Sequence, residues 1–365
     1  MNKPAVGVAL VAGASGFVGS AAVRRLIAEG YRVIALSRRM PASPVEKATY
    51  ISLDLSDRQA CQKAAVEWKD VTHCVYAAVN ETPGDLVASW SDPGHADRNG
   101  QMFINLLDAL LDNGSALKHV TVVHGTKAYA VHRMDHPPVP LRESLPRPDH
   151  DDFYFRQEDY LWSRAATHSL SWTVLRAQIV VGGGRGSNLN GPLALCVLAC
   201  MRRAAGQDLP IPGAQPTHAV IEMTDVELLA NAIAWTLAAP AAANQIFNVT
   251  NGDAFTWPDI WPMIAEEIGL PVGAPANYSV REEIQRNTHL WADLVRQHGM
   301  TVPEDPLAYL GESAALADFA LGASKNVIAS TVKIRKAGFS ECVDSAESLV
   351  AWIRRWRAEG LLPPR

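Results

Sequence analysis

Three glycines spaced Gly13-x-x-Gly16-x-x-Gly19 stand where a valine-rich apolar run gives way to helix-period patterning. A turn of that kind suits an anion held by backbone alone. Gly13 can take the turn conformation, Gly16 lets the main chain approach a ligand, and Gly19 lets a helix pack tightly on the preceding strand. The first N–H groups of that helix, with Ser15, Phe17 and Val18 in the same turn, would then face a pyrophosphate. A second candidate is Lys127, in the run His124-Gly125-Thr126-Lys127-Ala128-Tyr129 that follows an apolar segment over 117–123. Ligands in open α/β sheets bind beyond the carboxyl ends of the strands, so a lysine there is a site candidate, although lysines at strand ends are also often only solvated.

These residues need a sheet to position them, and the chain reads as one. The expected fold is α/β: a Rossmann-type, doubly wound parallel sheet over residues 1–185, with a smaller helix-rich, substrate-binding part over 186–365 from which some segments return to the sheet. After the opening strand, further strands are expected at Tyr31–Leu36, Tyr50–Leu53, His73–Ala78, 117–123 and Ser171–Arg176. The second ends in Arg38-Arg39. An acidic residue there would bind ribose hydroxyls, whereas arginine accommodates a 2′-phosphate, so the pair points to NADP(H) unless it is merely a solvated turn. After the third strand, Asp54 offers an acceptor beside the adenine and Leu55 an apolar contact, while Asp57 suits a helix N-cap. Ala77 and Ala78 are small where backbone would approach the cofactor, and Thr126 and Ile179 complete the cofactor set.

Residues 132–151 are dense in Pro, His and charge and read as a long loop bordering a site. A helix begins at Phe153-Tyr154-Phe155. The run Gly182-Gly183-Gly184-Arg185-Gly186 reads as a crossover into the second half rather than a second phosphate site. Beyond it, strands are expected at Ala219–Glu222 and Ile246–Val249 and helices at Asp225–Ala238, Pro258–Ile268 and Asp344–Ala358, with tryptophans serving the core.

Composition excludes several classes. The 365 residues carry 33 basic and 38 acidic side chains, a net charge of −5, so no basic field points to nucleic acid or an anionic membrane. Five scattered cysteines argue against a disulfide framework and for a reducing compartment, with the cytosol (a cytoplasmic location) expected. Cys196 and Cys200 would share a helix face, but no His or Cys stands at ligand spacing, and no metal site is expected. Lys3 precedes Gly7 and Gly13 too closely for a secretory segment, and the apolar stretch over 192–201 is too short to span a bilayer.

In combination, Arg38-Arg39, Gly125-Thr126-Lys127, Phe153-Tyr154 through Glu158-Asp159, and Phe247-Asn248 to Gly269 resemble the progesterone 5β-reductase and iridoid synthase-like enzymes, which are atypical short-chain dehydrogenases/reductases. The likeness implies NADPH-dependent 1,4-reduction of a C=C bond conjugated to a carbonyl, with a small enone or enal as substrate; the sequence does not fix the oligomeric state, and a homodimer is one assembly open to it. The likeness also implies a lysine, here Lys127, and a tyrosine hydroxyl aimed at the enolate oxygen. The family pattern Asn-Phe-Tyr-Tyr-x-x-Glu-Asp has its catalytic tyrosine second, and that position here is Phe155. Tyr154 is the second donor expected, with Phe155 and Tyr129 at the substrate pocket; a local shift that brings Tyr154 in, Lys127 sufficing with water or another donor such as Tyr129, or another reaction all stay open. The rival readings are direct reduction of a ketone or aldehyde and an NADPH-binding regulatory or scaffold protein with little turnover.

Overall fold

The computed structural model describes residues 6–41, 43–81, 86, 90, 92–184, 189–212 and 218–365. Seven parallel strands form the central sheet: β1 (Val8–Ala12), β2 (Arg32–Ser37), β3 (Ala48–Ser52), β4 (His73–Tyr76), β5 (His119–Gly125), β6 (Ser171–Ala177) and β7 (Gln245–Val249). Their order is β7-β6-β5-β4-β1-β2-β3. The winding reverses between β1 and β4, and the crevice above that reversal is where such sheets bind ligands.

Every side chain of β1 is buried, as a strand covered on both faces requires. Period-2 alternation sends Leu10 and Ala12 to one core and Ala9 and Val11 to another. On the first face lie α2 (Arg58–Ala65), α3 (Pro93–Asp112) and α4 (Phe153–Thr167), each against the next. On the second, α1 (Phe17–Ala28) packs against a helix from far along the chain, α6 (Val226–Ala238). Residues 226–249 therefore serve the central sheet. Asp57 caps α2 by accepting from the Ala60 amide.

The C-terminal part has its own core. Helix α5 (Gly191–Ala204) is buried along most of its length and meets α7 (Trp257–Ile268), with Trp257, Trp261, Trp291, Trp352 and Trp356 around it. Cys196 and Cys200 lie inside this core, where burial pushes the Cys200 thiol up to about 11. All five cysteines are free, and among the described residues no group of His, Cys, Asp and Glu could hold a metal ion. No described helix is long and apolar enough to cross a membrane.

One expected strand is not regular. At Ala219–Glu222 only Ile221 bridges, to Phe255 on one side and Val327 on the other, because the segment divides its backbone bonds between two partners instead of running along one. Strand pairing here instead joins Leu209–Pro212 to Val272–Ala276. Of the glycine run after β6, Arg185 and Gly186 lie outside the described residues.

Candidate active site

At the end of β1 the backbone turns so tightly that side chains are excluded. Gly13 has φ +84°, and a Cβ on it would lie 2.6 Å from the Ala77 carbonyl oxygen at the end of β4. A Cβ on Gly19 would lie 2.1 Å from the Gly13 carbonyl oxygen. Gly16 is less crowded: its Cβ would meet only that same oxygen, at 3.3 Å. It is the N-cap of α1, whose first turn carries no acidic residue. The opening N–H groups of a helix, here those of Phe17, Val18 and Gly19 after Ser15, have no intrahelical acceptor and form a place for an anion.

Beside this turn, Arg38 and Arg39 leave β2 with exposed side chains. Their backbone is pinned, since Ser52 Oγ donates to the Arg38 carbonyl at 3.0 Å and Ser37 Oγ to the Arg39 carbonyl at 2.7 Å. Among the described residues neither guanidinium enters a salt bridge, so both charges remain available to a ligand. The Asp54 carboxyl is held below its ordinary range by hydrogen bonds from the Ser56 hydroxyl and amide, with Arg38 adding to the effect. Leu55 is buried, and Ala77 and Ala78 are half-buried beside Gly13. Ile179 follows β6 with φ +29°, a strained conformation for a β-branched residue, and its carbonyl accepts from the Thr224 amide at 3.1 Å.

A second cluster gathers at the end of β5. The chain leaves Gly125 into a 3₁₀ turn, Thr126–Tyr129, which projects Lys127 across the sheet edge toward the start of α4. Its ammonium lies 4.5 Å from the Phe153 ring centroid, 5.1 Å from Tyr154 and 5.4 Å from Trp90, and 3.5 Å from Asp152 Oδ2. Burial holds the ammonium below the usual lysine range, against the opposing pull of Asp152 and Glu81. The phenol oxygen of Tyr154 reaches back over Gly125, where a Cβ would be 3.3 Å away. Burial first, then the Asp152 and Glu81 carboxylates, push this phenol far up, so it stays protonated and able to donate.

The Tyr154 ring stacks on His124 at 4.1 Å, and behind His124 lies a buried charge network. His124 Nε2 meets Gln157 Oε1 at 3.0 Å. Glu158 Oε1 accepts from Arg176 at 2.9 Å, and its other oxygen accepts from Arg147 at 3.0 Å. Burial alone would raise the Glu158 carboxyl, but His124 and Arg176 outweigh it and bring it down to about 2. The structure thus brings Lys127 and Tyr154 together. Phe155 points elsewhere, against His150 at 5.4 Å and the Arg147 guanidinium at 4.7 Å. Tyr129 is buried with Leu141 and Ala329, and its hydroxyl donates to Asn248 Oδ1 at 2.7 Å. That hydroxyl is therefore committed away from Lys127.

Sequence reasoning passed over Asp152, Trp90, His132 and His150. For Asp152 a signal existed, an Asp directly ahead of a helix; for Trp90 there was none. A cleft of about 350 Å³ between α6 and the helix Ser345–Ala358 contains none of these residues. Its three acids are engaged, Asp225 with Ser348 and Trp352, Glu227 with Arg24 and Arg355, and Glu341 with Asn231.

Residues 9–250 match the model of the NAD dependent epimerase/dehydratase family. The chain belongs to that family. It is 30% identical to (S)-8-oxocitronellyl enol synthase of Catharanthus roseus, covering 98% of this chain and 92% of that one. To the corresponding enzyme of Nepeta racemosa it is 29% identical, over 98% and 93%. To 3-oxo-Δ4,5-steroid 5β-reductase of Arabidopsis thaliana it is 27% identical, again over 98% and 93%. The resemblance and the enzyme class expected from the sequence agree with these relatives. The UDP-glucose 4-epimerase of Thermus thermophilus, solved in complex with NAD, superposes with a TM-score of 0.66 at 20% identity, over 96% of this chain and 99% of that one. This likeness bears on the fold, which is the Rossmann type expected. The glycine turn fits the nicotinamide dinucleotide that the family description names, since Gly13 and Gly19 pack backbone against backbone and set the opening N–H groups of α1 at the end of β1, where a diphosphate could be held.

Proposed function

We propose that this protein is an NADPH-dependent reductase of C=C bonds conjugated to a carbonyl, acting on a small enone or enal. The observation that carries the reading is the convergence of Lys127 and Tyr154 at the end of β5, the one an ammonium and the other a protonated phenol. They are two donors of the kind that an oxygen gaining negative charge requires. Names of the relatives, an enol synthase and a 5β-reductase, support the same chemistry.

Bound at the glycine turn, the cofactor would supply a hydride to the β carbon of the substrate. Gly13, Ser15, Gly16, Phe17, Val18 and Gly19 would hold its diphosphate, and Arg38 and Arg39 the 2′-phosphate that separates NADP from NAD. Asp54, Leu55, Ala77, Ala78, Thr126 and Ile179 would border the rest. Lys127 and Tyr154 would hold the carbonyl oxygen of the substrate and stabilise it as an enolate. Phe153 and Trp90 screen the ammonium from water, which strengthens its field at that oxygen. Glu158 occupies the place, four residues after Tyr154, where ordinary short-chain dehydrogenases carry their lysine; it is spent on Arg176 and His124.

The test is purified protein with NADPH and a panel of cyclic enones, linear enals and simple ketones, followed at the nicotinamide absorbance with product analysis. Saturated carbonyl products are expected. Alcohols as the only products, or no oxidation across the panel, would overturn the reading. A cytosolic location and a homodimer belong to the same proposal; the first is supported by the unpaired cysteines, and light scattering decides the second.

A further inference from the structure

Asp152 stands at the N-cap of α4, with only 1% of its side chain exposed. Its Oδ1 accepts from the Tyr154 amide at 3.0 Å, the ordinary work of a cap, which Asn or Ser would do equally well. Its Oδ2 does something a cap does not need. That oxygen is buried, no hydrogen-bond donor reaches it among the described residues, and it faces Lys127 Nζ at 3.5 Å and His150 Nε2 at 3.8 Å. Burying a carboxylate is costly unless a cation answers it. Here the cation is the lysine of the proposed donor pair. The resembled pattern has Asn ahead of its Phe-Tyr-Tyr, a residue that can cap but carries no charge.

We propose that Asp152 is a positioning residue whose single carboxylate fixes both donors, holding Tyr154 through its backbone amide and keeping Lys127 charged in a buried aromatic setting. This rests on the reductase reading and deepens it. Lys127 is faced by carboxylates of Asp152 and Glu81, by the imidazoles of His132 and His150, and by the phenol of Tyr154. Arg133 and Asp151 act on those imidazoles from further out. Among these groups Asp152 is the anion with the largest hold on the ammonium. Burial pulls the lysine down and Asp152 pulls it up, so removing the charge lowers the pH at which Lys127 loses its proton.

The experiment uses the full chain with Asp152→Asn, which keeps the cap and removes the charge, and Asp152→Ser as a second cap without charge should the first fail to fold. Lysines are ¹³C-dimethylated and the Lys127 resonance, assigned with Lys127→Arg, is titrated by NMR without any substrate. Its midpoint is expected to fall by about one pH unit in the uncharged variants. The alkaline limb of kcat/KM for enone reduction is expected to fall with it, which above the limb is about a tenfold loss of rate, with NADPH affinity unchanged. An unmoved resonance overturns the assignment to Asp152. A moved resonance with an unmoved rate profile overturns its part in catalysis. If the wild-type protein reduces no enone, the reductase reading fails by itself, and the NMR titration still decides whether Asp152 holds the charge of Lys127.

Discussion

The glycine turn at 13–19 and the Lys127 cluster sit along the same carboxyl edge of the sheet, but they are made of different material. The turn is backbone, and its glycines are neighbours in the chain: Gly19 closes on Gly13, and only Ala77, at the end of β4, comes to Gly13 from a distant segment. The cluster is side chains from separated segments, with Lys127 after β5, Asp152 and Tyr154 at the start of α4, and Trp90 from before α3. A site of the first kind is held by steric exclusion and fails when an atom is added. A site of the second kind is held by charge and ring contacts and fails when an atom is removed.

That contrast can be broken most forcefully at Gly19. A methyl group there would meet a carbonyl oxygen that cannot move aside, so Gly19→Ala is expected to cost several kcal/mol, measured by urea denaturation. Gly16→Ala, with its looser 3.3 Å contact, is expected to fold nearly as well as the wild type while binding NADPH less tightly. Equal stability of all three proteins would mean that close backbone packing does not hold the turn.

Next in size is Glu158→Gln, which leaves the buried Arg176 charge without its carboxylate, a loss of about 3–5 kcal/mol. The folded Glu158 carboxyl lies at about 2, below its ordinary 4.5, so its contribution is present above pH 4.5 and lost as pH falls toward 2. The variant should therefore show a flatter stability profile across that window. An acid denaturation series reads both effects.

The two aromatic neighbours sharpen the comparison within the cluster. Tyr154→Phe removes the donor that reaches over Gly125, and turnover is expected to fall on the order of a hundredfold. Phe155→Tyr adds a hydroxyl on the side of His150 and Arg147, and is expected to leave turnover near the wild-type rate. The reverse pattern in steady-state kinetics would move the active hydroxyl to position 155. Smallest is the double change Arg38→Ala with Arg39→Ala, which is expected to cut the preference for NADPH over NADH by about tenfold, roughly one charge-assisted contact, as measured by binding of each cofactor. An unchanged preference would place the 2′-phosphate elsewhere.

Much of the nucleotide end was legible because its information is local. Val8–Ala12, the three glycines and the place of Arg38-Arg39 at the end of β2 can be read in order, since each follows from the local backbone pattern or the distance from a strand end. The C-terminal helices at 226–238, 257–268 and 345–358 were legible for the same reason, their apolar residues recurring with helical period. The segment 219–222 was not, because its pairing is divided between Phe255 and Val327, far along the chain.

Lys127 and Tyr154 mark the boundary between the two kinds of knowledge. The order of residues alone determined that a lysine ends the fifth strand and that Phe, Tyr and Phe open the following helix. Only the folded chain decided that Phe153 and Tyr154 meet the lysine while Phe155 turns to His150, because residues adjacent on a helix point about 100° apart and α4 starts with Asp152 at its cap and Tyr154 stacked on His124. Rotation about a helix axis is fixed by what packs against it, and no local spacing encodes that.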